Sequence, residues 1–270
     1  MSSARVIVLV LAVLLCGAQY ELCAARESSQ RLELAATYRV EFGAFNLGDF
    51  HLTATLEGPK YKLKAKGKFS VVGGMIYRAS GKTEATGKLA KSGAEPSRFS
   101  VTYKGGSKKE ERRFNFVNGA VDQISIVPSR KPSPRSVPIT AGQLENVLDP
   151  LTAGFLSVRA KKNPDACQRS LPVFDGKQRF DIVLSPKRIE PLPTSAPAGV
   201  SGPLAVCRVK FVPIGGYRPD HPGIKFMTET DDIEVWLVSV PGTDFYIPYR
   251  IALPTAWADG VATLTEIELR

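Results

Sequence analysis

Two carboxylates and a guanidinium fall within the short run Val173-Phe174-Asp175-Gly176-Lys177-Gln178-Arg179-Phe180-Asp181. Paired carboxyl groups can do general acid and base work when they are close in space and their pKa values are driven apart. The run also contains Asp175-Gly176, a dipeptide that tolerates positive φ and turns hairpins. It therefore reads as a hairpin in which Asp175 serves the turn and Arg179 pairs with Asp181 along one strand face. A second polar group lies in Gly215-Gly216-Tyr217-Arg218-Pro219-Asp220-His221-Pro222, where a histidine stands next to an aspartate and close to an arginine. A nucleophilic triad there needs a positioned serine or cysteine with oxyanion donors, and no Gly-x-Ser-x-Gly elbow occurs in the chain. A proline-rich loop tip accounts for the same residues, so no catalytic residue is assigned.

Cys167 and Cys207 stand 40 positions apart and are the only cysteines beyond the first 25 residues. In an oxidising compartment they are expected to pair, and closing a loop of that size stabilises by about 4 kcal/mol. A metal site and a redox pair are the rivals. The chain has no Cys-x-x-Cys, and His51 and His221 are its only histidines, so a tetrahedral site would need all four side chains to converge. No metal and no cofactor are expected.

Lysine occupies every second position of Lys60-Tyr61-Lys62-Leu63-Lys64-Ala65-Lys66-Gly67-Lys68-Phe69. In a strand the ammonium groups share one face and Tyr61 and Phe69 the other, so the rings cannot stack on bases whose phosphates the lysines hold. Nucleic acid is not an expected partner. What remains is a solvated strand face or a surface for an anionic partner. Trp236, Tyr246 and Tyr249, the last beside Arg250, either fill the core or line an apolar groove for an acyl chain.

These side chains need strands to hold them, and period-two alternation dominates from Arg31 onward. It is clearest at 61–69 and recurs at 37–42, 51–56, 99–103, 114–116 and 121–126. After Cys167 it resumes at 179–184, 204–211, 232–240, 245–253 and 261–269. Strands that follow at short intervals without helices between them pair as an antiparallel meander, so the expected fold class is mainly all-β. Pro128, Pro132, Pro134 and Pro138 break the pattern and require an extended connector. Thr140-Ala141-Gly142-Gln143 has the capping-box spacing and predicts a helix with Leu144, Val147 and Leu148 on one face. Pro150 opens a second helical turn to Leu156, and this segment is the one substantial helix expected. A proline, alanine and glycine loop follows at 191–203.

The N-terminus has the zones of a secretory signal: Arg5, an apolar run from Val6 to Cys16, and a short-residue stretch ending Cys23-Ala24-Ala25. Cleavage after Ala25 is predicted, leaving a single β-rich domain over 26–270 with the proline-rich connector and helix near 127–157. The apolar run falls short of the roughly 20 residues a spanning helix needs, so no transmembrane span is expected in the mature form. Lipid attachment at Cys16 is the rival reading, and Leu15, where a small residue belongs, argues against it. Removing 25 of the 270 residues leaves 245, a length that buries roughly 70% or more of its unfolded surface. The net charge of +10 favours acidic partners such as phospholipid headgroups, lipopolysaccharide or other anionic envelope polymers, or serves solubility alone.

Several stretches resemble a known family. They are Asp149-Pro150-Leu151-Thr152-Ala153, Cys167, the run from Leu171 to Asp181, and Val206-Cys207 continuing to Pro213-Ile214-Gly215-Gly216-Tyr217-Arg218-Pro219. Asp232-Ile233-Glu234-Val235-Trp236, Pro248-Tyr249-Arg250-Ile251 and the strand and turn from Tyr38 to Gly48 fit as well. Together they resemble the domain of unknown function 3108 family of exported bacterial proteins, in its alphaproteobacterial form, over nearly all of the mature chain. The resemblance implies periplasmic residence and a curved sheet, half-barrel or spiral-like, similar to envelope lipid- or lipoprotein-handling folds. It brings no established activity. The expectation is a non-enzymatic periplasmic envelope protein that binds or scaffolds an anionic or lipidic envelope component. Asp175, Arg179, Asp181, Tyr217, Arg218, Trp236, Tyr249 and Arg250 form the candidate ligand or structural cluster. The alternatives are a hydrolase of an envelope polymer acting through Asp175, Asp181 or His221, and a scaffold for an envelope protein with no ligand.

Overall fold

Two-residue links set the architecture of the first half. Gly43-Ala44, Gly58-Pro59, Lys91-Ser92, Gly106-Ser107 and Asn118-Gly119 each lie between consecutive strands, and connections that short permit only antiparallel neighbours. In the computed structural model they help to join β1 (Arg31–Phe42), β2 (Phe45–Glu57), β3 (Lys60–Val71), β4 (Tyr77–Ala90), β5 (Gly93–Gly105), β6 (Lys108–Val117) and β7 (Ala120–Val127). The second half contributes β8 (Arg169–Phe174), β9 (Arg179–Glu190), β10 (Ser201–Gly215), β11 (Glu234–Ser239), β12 (Tyr246–Leu253) and β13 (Gly260–Leu269). The structure describes residues 31–71, 77–129, 131–155, 166–243, 245–255 and 258–270. The expected signal segment 1–25 and Leu156 lie outside them, and Leu32–Arg270 form one compact unit.

All thirteen strands belong to one antiparallel sheet that does not close. Its order is β7-β6-β5-β4-β3-β2-β1-β13-β12-β11-β10-β9-β8, so each half is a meander and the first and last strands meet in the middle. Leu34 of β1 lies opposite Leu269 of β13, and the Tyr38 hydroxyl donates to the Pro248 carbonyl at 2.8 Å. The expected mainly β fold, an antiparallel meander, is what forms.

The two outer edges, β7 and β8, are linked by a stretch of the connector. Asn146 N–H donates to the Gly119 carbonyl at 2.8 Å, Leu148 N–H to Pro172 at 2.7 Å, and Phe174 N–H to Leu148 at 2.9 Å. Residues 145–148 thus stitch the start of β7 to β8 without completing a ladder with either. Side chains cross the same seam. Arg112 of β6 donates to the Asp175 carboxylate at 2.9 Å, Lys177 pairs with Glu110, and the Phe114 and Phe174 rings lie 5.1 Å apart.

Alternation divides β2–β6 into an apolar and a polar face. Leu52, Ala54, Tyr61, Leu63, Ala65, Ala85, Phe99 and Phe114 are buried together in a core that also takes Leu151 and Tyr249. A second cluster surrounds the disulfide between Cys167 and Cys207, whose Cα atoms are 5.2 Å apart; it contains Val173, Val209, Val235, Leu237 and Tyr246. Leu204 and Val206 are as deeply buried as Ala205 and Cys207, so β10 is covered on both faces.

The helical segments depart from expectation in both directions. The capping-box residues behave as their spacing requires, with Thr140 N–H donating to Gln143 Oε1 at 3.0 Å. Only a single 3-10 turn follows, Ala141–Leu144. Glu145 is extended and bridges Ala120, and Asn146 adopts φ 52°, so the seam takes the residues a longer helix would use. Pro150 does open a helical turn, α1 (Pro150–Phe155). The longest helix among the described residues is α2 (Pro222–Glu229), in place of part of the expected loop tip. His221 caps it, accepting from Gly223 N–H at 3.2 Å, and Pro222 takes the first helical position.

Candidate functional site

The polar face of β2–β6 is assembled by register. Lys66 lies directly opposite Lys82 of β4, Lys82 opposite Thr102 of β5, and Lys68 opposite Ser80. Ser80 is opposite Lys104, which is opposite Lys109 of β6. On the other side Asp49 and His51 of β2 face Lys68 and Lys66. These residues line an open trough of about 750 Å³. An adjoining recess of about 420 Å³ shares His51, Lys66, Lys82 and Thr102 and adds Lys64 and Glu84.

The charge balance of this trough is one-sided. Lys64, Lys66, Lys68, Lys82, Lys104 and Lys109 line the trough and its recess together, against the carboxylates of Asp49 in the trough and Glu84 in the recess. Glu84 is engaged by Lys62 at 2.9 Å. Among the described residues none of the six lining lysines forms an ion pair with a carboxylate. Like charges directly opposite each other across a ladder are destabilising, and both Lys66–Lys82 and Lys104–Lys109 are such pairs. The arrangement can hold anionic groups. No group of three or more histidine, cysteine, aspartate or glutamate side chains suited to a metal occurs among the described residues.

The family described as "Protein of unknown function (DUF3108)" matches residues 37–265. The chain belongs to the DUF3108 family. No curated protein matches it. Among solved structures it is similar to the crystal structure of a beta-barrel-like protein of domain of unknown function DUF1849 from Brucella abortus. The TM-score is 0.52 at 8% identity, covering 88% of this chain and 98% of that one. At that identity the likeness concerns the fold alone.

The candidate cluster read from the sequence is dispersed in this DUF3108 protein. Asp175 is a turn residue, accepting from Lys177 N–H at 2.8 Å and Gln178 N–H at 2.7 Å, and it holds Arg112 across the seam. Arg179 pairs with Asp181 at 2.5 Å on one strand face and also donates to the Gln143 carbonyl at 2.9 Å. Tyr217 accepts from Val137 N–H at 2.9 Å, and Asp220 binds Arg135 at 2.7 Å with Arg218 at 4.0 Å. Trp236 lies between two guanidinium groups, Arg188 at 5.6 Å and Arg250 at 5.3 Å, and donates from Nε1 to Glu190 at 2.9 Å. Tyr246 and Tyr249 are buried in different core clusters, so these rings share no acyl-chain groove. The apolar cavity bounded by Leu34, Leu52, Phe155 and Ile247 is about 20 Å³, room for little more than one water.

Two carboxylates show the field of their partners. Burial alone would raise Glu110, but hydrogen bonds from Lys177 and Arg112 outweigh it and hold the carboxyl below its ordinary range. Glu234 is treated likewise by Arg188 and Lys187.

Sequence reasoning missed one buried polar chain. Asp149, before Pro150, accepts from Leu151 N–H at 3.0 Å, Thr152 N–H at 2.9 Å and the Thr152 hydroxyl at 2.6 Å. Tyr61 in turn bonds the Thr152 hydroxyl at 3.0 Å. Gly87 makes room for that phenol, since a Cβ there would come within 2.5 Å of the Tyr61 oxygen. Asp149 and Thr152 are both 0% exposed, so no substrate reaches them. They fix α1 against the sheet. Burial pushes the Asp149 carboxyl from 3.8 up to about 6, against the pull of its hydrogen bonds.

A folded-state pKa raised above the unfolded value means the native form binds the extra proton. The contribution of Asp149 is therefore fully present below pH 3.8 and is lost as pH rises through about 6. The loss amounts to roughly 3 kcal/mol. Asp149→Asn keeps an acceptor for both N–H groups, and urea denaturation from pH 4 to pH 7 is expected to show this variant without that decline. Parallel slopes for the two proteins would remove Asp149 as its source.

Proposed function

We propose that this protein is a non-enzymatic periplasmic envelope protein that binds or scaffolds an anionic component on the lysine face of β2–β6. The observation that carries the reading is the trough of about 750 Å³ lined by Lys66, Lys68, Lys82, Lys104 and Lys109 with Asp49 as its lone carboxylate. Lysines placed opposite lysines cost stability, and an anionic ligand turns that cost into binding. Export is supported by the signal-like first 25 residues and by a buried disulfide, which persists in an oxidising compartment. No helix among the described residues is long and apolar enough to cross a membrane.

The test is binding of the oxidised mature chain, 26–270, to anionic envelope material. Phosphatidylglycerol vesicles, lipopolysaccharide and linear anionic polymers are compared with phosphatidylcholine vesicles. Binding to at least one anionic probe is expected, weakened on the order of 100-fold between about 50 and about 200 mM salt as four or five charge contacts are screened. The combined Lys66→Glu, Lys68→Glu, Lys82→Glu and Lys104→Glu protein should lose it. Absence of binding to every anionic probe at low salt rules the reading out.

A further inference from the structure

We propose that the occupant of the lysine face is one linear polyanion lying across the strands, a chain of repeated phosphate or carboxylate groups; this rests on the anion-binding reading above.

The register supplies the direction. Lys68, Ser80, Lys104 and Lys109 follow one another from β3 to β6, and Lys66 and Lys82 form the next row. Neighbouring strands are about 4.8 Å apart and successive same-face residues about 6.8 Å. From β3 to β6 the charges therefore span about 14 Å, far more than a single phosphate or carboxylate covers. A chain running perpendicular to the strands along the first row meets an ammonium group on β3, β5 and β6, with Lys82 of β4 one same-face position away in the next row. A chain running along β3 meets Lys64, Lys66 and Lys68 but leaves Lys82, Lys104 and Lys109 unmatched, and one along β4 or β5 leaves more of the lining lysines unmatched.

Residue types narrow the occupant further. The lining contains lysine and no arginine. Lysine offers a point charge on a flexible stem, without the fork that reads one planar anion bidentately. The trough therefore measures charge spacing along a chain. Between the lysines lie Gly48, Gly81, Ser80 and Thr102, with His51 as the only ring. A face without large apolar side chains has nothing to insert beneath lipid headgroups, and without an aromatic platform it does not stack on bases. A recessed trough also keeps a planar bilayer from reaching its floor, while a single chain can enter it.

The experiment is a length series on the mature, oxidised protein. Linear polyphosphates and oligogalacturonates of increasing length are titrated at low salt, with inorganic phosphate, galacturonate monomer and phosphatidylglycerol vesicles alongside. Affinity is expected to climb with length until the chain spans the trough and then to level off. The monomers should bind on the order of 100-fold more weakly or worse, consistent with the loss of several charge contacts. Whichever series binds more tightly at equal length identifies phosphate or carboxylate as the natural repeat.

Lys66→Glu with Lys109→Glu should cut affinity for the long chains, while Lys225→Glu, on α2, leaves it unchanged. Thermal denaturation guards against unfolding: the reversals convert like-charge pairs into opposite ones, so the melting temperature should hold or rise. Monomers binding as tightly as long chains, or vesicles binding while free chains do not, would overturn the linear polyanion and leave anion binding standing. Failure of all probes, vesicles included, would remove both.

Discussion

Replacing Cys167 and Cys207 together by alanine is expected to lower the free energy of unfolding by about 4 kcal/mol. The bridge closes a loop of 40 residues in sequence separation, and that loop carries β8, β9 and most of the edge facing the seam. Both cysteines are almost completely buried, packed with Val173, Val209 and Val235. Alanine avoids burying a lone thiol but leaves a small gap, so packing loss adds to the loop entropy. Urea denaturation of the double variant, beside the parent with and without dithiothreitol, checks the value. Reduced parent and variant should unfold at nearly the same urea concentration. A variant as stable as the oxidised parent would show that the second core holds the loop without its bridge.

Phe114→Ala is expected to cost about 3–5 kcal/mol, the range for deleting a buried aromatic side chain. Phe114 is 1% exposed, and its ring sits 5.1 Å from both Phe99 and Phe174 and 5.4 Å from Phe116. Phe174 belongs to β8 at the opposite edge of the sheet, so the contact fastens the seam from inside. The ion pairs outside it, Arg112 with Asp175 and Lys177 with Glu110, are partly exposed and contribute less, as surface pairs do. A double-mutant cycle with Phe174→Ala separates seam closure from simple cavity formation. Coupling between the two truncations is expected, and strictly additive costs would mean the edges are stabilised independently.

How much of this was legible in the sequence depends on what each residue contrasts with. The strand at 61–69 announces itself because lysine alternates with apolar or small residues. β4 does not: its inward positions include Gly81, Thr83, Ala85 and Gly87, too small or too polar for hydropathy to mark. Lys82, Lys104 and Lys109 accordingly passed as ordinary surface charge. Only the register brings them beside Lys66 and Lys68. The Asp175 turn and the Arg179–Asp181 pair were readable because both are local, whereas Asp175 with Arg112 joins residues from different halves of the sheet. Capping chemistry at Thr140 was also readable, but tertiary pairing of Glu145 with Ala120 ended the helix early. α2 escaped notice because histidine is outside the usual capping set.

The meeting of β1 and β13 at the centre of the sheet bears on how the chain matures. A polypeptide emerging from its N-terminus presents β1–β7 long before residues 260–269 exist. In that interval the β1 edge shows unpaired N–H and C=O groups, a template for another chain's strand. Pairing so distant in sequence is also slow to form. Nascent or unfolded copies are therefore most exposed to mutual association at the line that becomes the interior of the finished sheet, and chaperone protection has most to offer there. Loss of the last dozen residues would likewise open the sheet along its midline rather than trim its rim.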